Sequence, residues 1–309
     1  MFRLLCICCL SLWGITAQAQ VQILTSIKPL QLIAAAIQDG QGKPQTLLPP
    51  GASPHYFVLR PSDARRLDNA DLFYWIGPDL ENFLPRLLTQ RSQLSIAVQD
   101  LPDLHLQYFA EPHQHDHPAE HAHGQPLIEH DHAHKPGALD SHLWLLPHNA
   151  RVIAQQISTD LSAIDPRNAE LYAANLKSFT ERLTTLDQQL KEQLKAVQGK
   201  PFFVFHEAFN YFEHAYGLQH SGVFAISSEL QPGARHVQQM RQRLQQAGPS
   251  CVFSEPPLQP RLAHTLADGL PVTLAELDPL GVDSPVSAQG YEQLMLNLAA
   301  QFSACLDSL

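Results

Sequence analysis

Residues 166–197 read PRNAELYAANLKSFTERLTTLDQQLKEQLKAV. The run contains no glycine, and no proline after its first residue. Leu171, Leu176, Phe179, Leu183, Leu186, Leu190 and Leu194 recur mostly at three- and four-residue steps. That is the period of one apolar stripe along an α-helix. At 1.5 Å per residue the stretch predicts a single helix of about 45 Å, long enough to run the full height of the molecule.

On both sides of this helix, short apolar runs alternate with helical patterns. Upstream, strands are expected at Val21 to Ile27, Pro44 to Leu48 and Asp71 to Gly77, the last an apolar run from Leu72 that ends in glycine, as in a strand buried on both faces. Helices are expected at Pro29 to Ile37, at Asp63 to Asn69 with Ser62 as N-cap, at Pro78 to Gln90 with a kink at Pro85, and at Asn149 to Ile164. Downstream, strands at Pro201 to Phe205, Gly222 to Ile226, Cys251 to Ser254 and Val272 to Leu277 alternate with helices at Glu207 to Tyr216, Pro232 to Ala247, Pro260 to Ala267 and Tyr291 to Leu306. Such alternation predicts an α/β protein of two lobes, each a mostly parallel sheet flanked by helices, joined by one long rigid helix. Open parallel sheets bind ligands beyond the carboxyl ends of their strands, so a site is expected between the lobes. The expected boundaries are a leader at 1–19, an N-terminal lobe at 20–164, a linking helix at 165–198 and a C-terminal lobe at 199–309.

One stretch breaks the pattern. Residues 104–135 are rich in His, Pro, Ala and acids and nearly devoid of apolar side chains, which predicts a disordered insertion. Of 17 histidines in the chain, 9 fall between His105 and His134. Those at His113, His115, His117, His121, His123, His130, His132 and His134 form alternating His-x-His clusters, read as an auxiliary metal-binding loop whose ordering entropy makes it weaker than a preformed site.

The first residues have the layout of a secretory leader: Arg3, the apolar run Leu4 to Ile15, and the small-residue cleavage pattern Ala17-Gln18-Ala19. The apolar run is too short to span a bilayer. Export would leave two cysteines, Cys251 and Cys305, which an oxidising compartment is expected to pair; two buried free thiols are the alternative. The chain carries a net charge of −10. Loss of Arg3 leaves 19 basic against 30 acidic side chains, a balance of −11. This argues against nucleic-acid binding and suits the attraction of cations.

Apart from the insertion, three histidines stand at predicted strand ends: His55 after the turn Pro49 to Pro54, His142 in Asp140 to Trp144, and His206 directly after the run Pro201 to Phe205. A lone histidine at a junction is commonly a cap or a satisfied core residue. Three at equivalent places point to one shared metal site, and zinc takes neutral imidazole with a fourth position for carboxylate or water.

These segments, with their neighbours, resemble the metal-binding proteins of ABC importers, in particular the zinc-binding ZnuA type. The resemblance rests on Pro50-Gly51-Ala52-Ser53-Pro54-His55, Leu59 to Asp63, Ser26 to Pro29, Ala70 to Pro78, Asp140 to Trp144, Phe205 to Phe212, Glu229 to Gly233, Phe253 to Pro256 and Leu277 to Gly281, in family order across nearly the whole mature chain. It implies His55, His142 and His206 as zinc ligands, with histidine rather than carboxylate at the third position favouring zinc over harder cations. It leaves the fourth ligand open between Asp278 and water, because Pro54 stands where some zinc-type members carry glutamate. Asp140 and Glu207 are candidates for orienting imidazoles, and His220 for assisting. The paired cysteines and the His-rich insertion also look like this subfamily. The resemblance implies a periplasmic, monomeric, non-enzymatic protein that captures Zn2+ and passes it to an ABC permease in the inner membrane. A zinc-dependent hydrolase and a metal-binding surface adhesin are the other readings; no His-Glu-x-x-His motif supports the first and no lipid anchor the second.

Overall fold

The structure, a computed structural model, describes residues 20–109, 137–224, 234–256 and 261–309. The chain opens with β1 (Ile23–Thr25), α1 (Lys28–Ile37), β2 (Gln45–Thr46), α2 (Pro61–Asn69), β3 (Leu72–Trp75), a one-turn α3 (Pro85–Leu88) and β4 (Leu94–Ala97). The strands form one parallel sheet in the order β2-β1-β3-β4. Every residue of β3 is buried, as its unbroken apolar sequence requires.

Helix α4 (Pro147–Ile164) leads to the linking element. This is helical without a break from Pro166 to Val197, 32 residues in all. Its α-helical part, α5 (Ala169–Leu194), is capped at each end by a 3-10 turn. Tyr172, Phe179, Leu183, Leu186, Leu190 and Leu194 form the buried stripe. The stripe thus opens on Tyr172, whose hydroxyl donates to Asp165 at 2.9 Å, rather than on Leu171.

A second sheet follows: β5 (Phe202–Val204), α6 (Asn210–Tyr216), β6 (Gly222–Val223), α7 (Ala234–Ala247), β7 (Ser250–Ser254), α8 (Arg261–Ala267), β8 (Val272–Glu276) and α9 (Gly290–Leu306). Its order, β6-β5-β7-β8, all parallel, repeats that of the first sheet. One continuous apolar core joins β1, β3, α1, α4 and α5 to β5, β7 and α9. A smaller cluster around Phe203, Phe224, Met240 and Leu244 backs the second sheet. Cross-links reinforce the shared core. Trp144 Nε1 donates to the Pro279 carbonyl at 2.8 Å, Tyr291 Oη to the Trp144 carbonyl at 2.7 Å, and Arg182 of α5 pairs with Glu292 of α9. The disulfide Cys251–Cys305 ties the last turn of α9 to β7. Among the described residues, no helix is long and apolar enough to cross a membrane.

Several sequence expectations need correction. The helix expected over Pro78 to Gln90 shrinks to Pro85–Leu88, which Pro85 begins rather than kinks. Upstream of it the buried Glu81 carboxylate accepts the amides of Ile76 and Gly77 and so builds a turn there. Burial pushes that carboxyl up to about 7, against the pull of those donors. Ser62 does not cap α2. Pro61 is the first helical residue, and Asp63 Oδ2 reaches back to the Arg60 amide at 3.0 Å. Strand β4 was not expected, being a half-exposed edge with little apolar signal. Helix α6 starts at Asn210, three residues later than expected. Residues 104–109, placed in the insertion by composition, are held in the fold. Tyr108 bridges Leu139, and the Gln107 amide donates to Tyr211 Oη at 2.9 Å. The leader at 1–19 and the parts of the expected elements at 225–233 and 257–260 lie outside the described residues.

Candidate metal centre

Three loops at strand carboxyl ends converge between the sheets. His55 lies beyond β2, in a chain that turns at Gly51 (φ +76°), a backbone conformation that suits glycine. His142 follows β4 and precedes a 3-10 turn at Leu143–Leu145, which Trp144 fastens to the second lobe. His206 stands two residues past β5. The three are 4%, 2% and 3% exposed. One ring nitrogen from each lies within 4.8 Å of the other two. Ring centroids are 5.7 Å apart for His55–His142, 5.4 Å for His55–His206 and 5.0 Å for His142–His206. Three buried imidazoles with a ring nitrogen each gathered at one place form a donor set suited to a borderline metal ion.

Two of the rings are oriented from behind by carboxylates. Asp140 Oδ1 lies 2.8 Å from His142 Nδ1 and also accepts the His142 amide at 3.0 Å. Its Oδ2 takes Asn210 Nδ2 at 3.1 Å, and its carbonyl takes Tyr211 Oη at 2.9 Å, so Asp140 is itself fixed on four sides. Glu255 Oε1 lies 2.8 Å from His206 Nδ1. A carboxylate accepts only, so each Nδ1 carries the hydrogen and each Nε2 is left to face the cluster.

Strand register explains the second pair. Strands β5 and β7 run parallel with Phe202 opposite Cys251 and Val204 opposite Phe253. Extending that ladder two residues puts His206 opposite Glu255, at the point where strand order reverses in the sheet. Glu255 was not assigned a role from sequence. The available signal was a carboxylate directly after a strand predicted in the same sheet as the one ending at His206.

The other candidates stand elsewhere. Asp278 is outside the three-histidine cluster. Its Oδ1 accepts the amides of Leu280 and Gly281 at 3.0 and 2.9 Å, and its Oδ2 that of Val282 at 2.7 Å. It builds the loop whose Pro279 carbonyl receives Trp144. Burial raises its carboxyl despite those donors. Glu207 accepts from Asn210 Nδ2 at 3.3 Å, and burial likewise raises it. His220 is bonded to Glu213 through Nδ1 at 3.0 Å and does not enter the cluster. Burial would lower its pKa, but Glu213 outweighs burial and raises it. The loop histidines His113, His115, His117, His121, His123, His130, His132 and His134 lie outside the described residues.

This geometry can be set beside known proteins. The model of the family ZnuA, described as zinc-uptake complex component A, periplasmic, matches residues 23–305. The chain belongs to the ZnuA family. A high-affinity zinc uptake system protein ZnuA from Yersinia pestis is 38% identical over 296 residues, covering 93% of this chain and 92% of that protein. Its counterpart from Brucella abortus is 35% identical over 316 residues, covering 92% and 91%. A crystal structure of a ZnuA deletion mutant with zinc bound superposes with a TM-score of 0.74 over 93% of this chain and 98% of that one, at 22% identity. The fold, two four-stranded parallel sheets joined by a long helix, is thus one found in ZnuA.

Proposed function

We propose that this ZnuA-family chain captures Zn2+ in the periplasm with high affinity through His55, His142 and His206, and releases it to an ABC permease in the inner membrane. The observation that carries the assignment is the meeting of three buried imidazoles, two of them held by carboxylates in the tautomer that offers Nε2. Tetrahedral zinc then has a fourth position for water; Asp278 lies outside the three-histidine group, and its oxygens accept backbone amides. Membership in a family described as the periplasmic component of zinc uptake supports the compartment and the permease partner. The leader motif at Arg3 to Ala19 supports export, and one shared core supports a monomer that needs no second copy. The reading is non-catalytic. Asp140 and Glu255 each serve an imidazole, which leaves neither to activate a water as a hydrolase would require.

The ligand imidazoles must be neutral to bind, so zinc and protons compete for them. Affinity should therefore fall as the pH is lowered from 7.5 to 5.5. Titration against a competing chelator at both pH values checks this. One tight equivalent at pH 7.5 that weakens at pH 5.5, with no turnover of ester, peptide or phosphate substrates, is the expected result. An affinity unchanged across that interval contradicts a three-histidine site.

A further inference from the structure

Helix α6 opens on an asparagine that does not cap it. Near a helix start, asparagine ordinarily turns its side-chain oxygen onto the helix's own amides, but no side-chain cap closes this end. Asn210 instead directs its amide nitrogen at two carboxylates. Nδ2 lies 3.1 Å from Asp140 Oδ2 and 3.3 Å from Glu207 Oε1. An amide nitrogen carries two hydrogens, so it donates to both. The reverse placement would turn the amide oxygen onto the Asp140 carboxylate, which fixes the orientation.

The backbone that carries Asn210 is held in place. Phe209 and Tyr211 on either side are buried. Tyr211 Oη accepts the Gln107 amide and donates to the Asp140 carbonyl, both at 2.9 Å. Asp140 completes the arrangement by donating its amide to the Gln107 carbonyl at 2.9 Å. Gln107, Asp140 and His142 belong to the first lobe, whereas Asn210 and Tyr211 belong to the second. His142 is therefore carried by one lobe and steered from the other.

The two oxygens of the fully buried Asp140 divide the work. Oδ1 lies 2.8 Å from His142 Nδ1, and Oδ2 takes the Asn210 amide. With Oδ2 tethered, the carboxylate cannot rotate Oδ1 away from the ring. We infer that Asn210 is a positioning residue for zinc capture, tethering Asp140 across the lobe boundary so that His142 presents Nε2 to the metal. The inference deepens the proposed function and rests on His142 being a zinc ligand. His206 is an internal comparison, because its Nδ1 is held by Glu255, outside this tether.

Two measurements on the full mature chain test it: chelator competition for Zn2+ at pH 7.5, and long-range proton–nitrogen NMR of the metal-free protein, which distinguishes Nδ1–H from Nε2–H imidazole. Asn210→Ala should weaken zinc binding about three- to tenfold, the worth of one hydrogen bond. In that variant His142 should give mixed tautomer signals while His206 keeps the Nδ1–H pattern. Asp140→Ala should cost about ten- to a hundredfold, as loss of a carboxylate behind a ligand imidazole does. In that background Asn210→Ala should cost nothing further. An unchanged His142 tautomer in Asn210→Ala would overturn the inference, and this readout stands even where Asp140→Ala fails to fold. An equal loss of affinity with and without Asp140 would also overturn it. His142→Ala separates this from the underlying reading. Unaltered zinc affinity in that variant removes His142 from the site, whereas weakened binding there beside unaltered binding in Asn210→Ala overturns the inference alone.

Discussion

His206→Ala should lower the affinity for Zn2+ by roughly a hundred- to a thousandfold. Structural zinc sites are worth about 10–16 kcal/mol at neutral pH, shared among four ligands, so each ligand carries about 2.5–4 kcal/mol. The loss is local. His206 sits beyond the end of β5, outside the strand ladder, so the fold should survive with an unchanged circular dichroism spectrum. The variant also leaves Glu255 without the imidazole that it orients. Chelator competition at pH 7.5 measures the effect, and His55→Ala and His142→Ala should behave alike. Wild-type affinity in the His206 variant would mean that zinc is held elsewhere, with the His113 to His134 segment as the first place to look.

Removing the disulfide should be the most damaging change to stability. Cys251 and Cys305 close a loop of 54 residues, and chain-entropy reasoning values such a closure at about 4 kcal/mol. For a chain of this size each kcal/mol moves the thermal midpoint by about 2–4 °C, so the Cys251→Ala, Cys305→Ala protein should melt roughly 10 °C lower. Alanine is the right replacement because Cys251 is fully buried and a serine hydroxyl there would need a partner. Zinc affinity should hardly change. Cys251 lies at the start of β7 and Glu255 just past its end, about 13 Å apart along an extended strand. Scanning calorimetry of the metal-free protein checks the first claim, and an unshifted midpoint would contradict it.

Much of this architecture is legible in the residues, because the strongest signals are long and periodic. The helix from Pro166 to Val197 has no breaker and one apolar stripe. The doubly buried β3 has no polar residue to confuse it. The three histidines are legible because each stands at a junction of predicted elements: His55 and His206 follow apolar strand runs, and His142 opens the short apolar run to Leu146. Asp140 could be suspected because it lies two residues from His142, close enough to bond locally. Glu255 lies 49 residues from His206, and only the pairing of β5 with β7 makes them neighbours. No local pattern encodes that strand order. Turn chemistry is the other blind spot. Glu81 and Asp278 accept backbone amides through their carboxylates, which turns a helical pattern into a loop at the first site and shapes the loop after β8 at the second.

The central claim is that zinc sits among His55, His142 and His206. Anomalous diffraction at the zinc edge from crystals of the chain loaded with one equivalent of Zn2+ tests it most directly. The expected result is a single strong peak about 2.0–2.1 Å from one nitrogen of each ring, with Asp140 and Glu255 still on the Nδ1 edges of His142 and His206. A peak at any other group of side chains, or coordination through Nδ1 with those two carboxylates released, would contradict it.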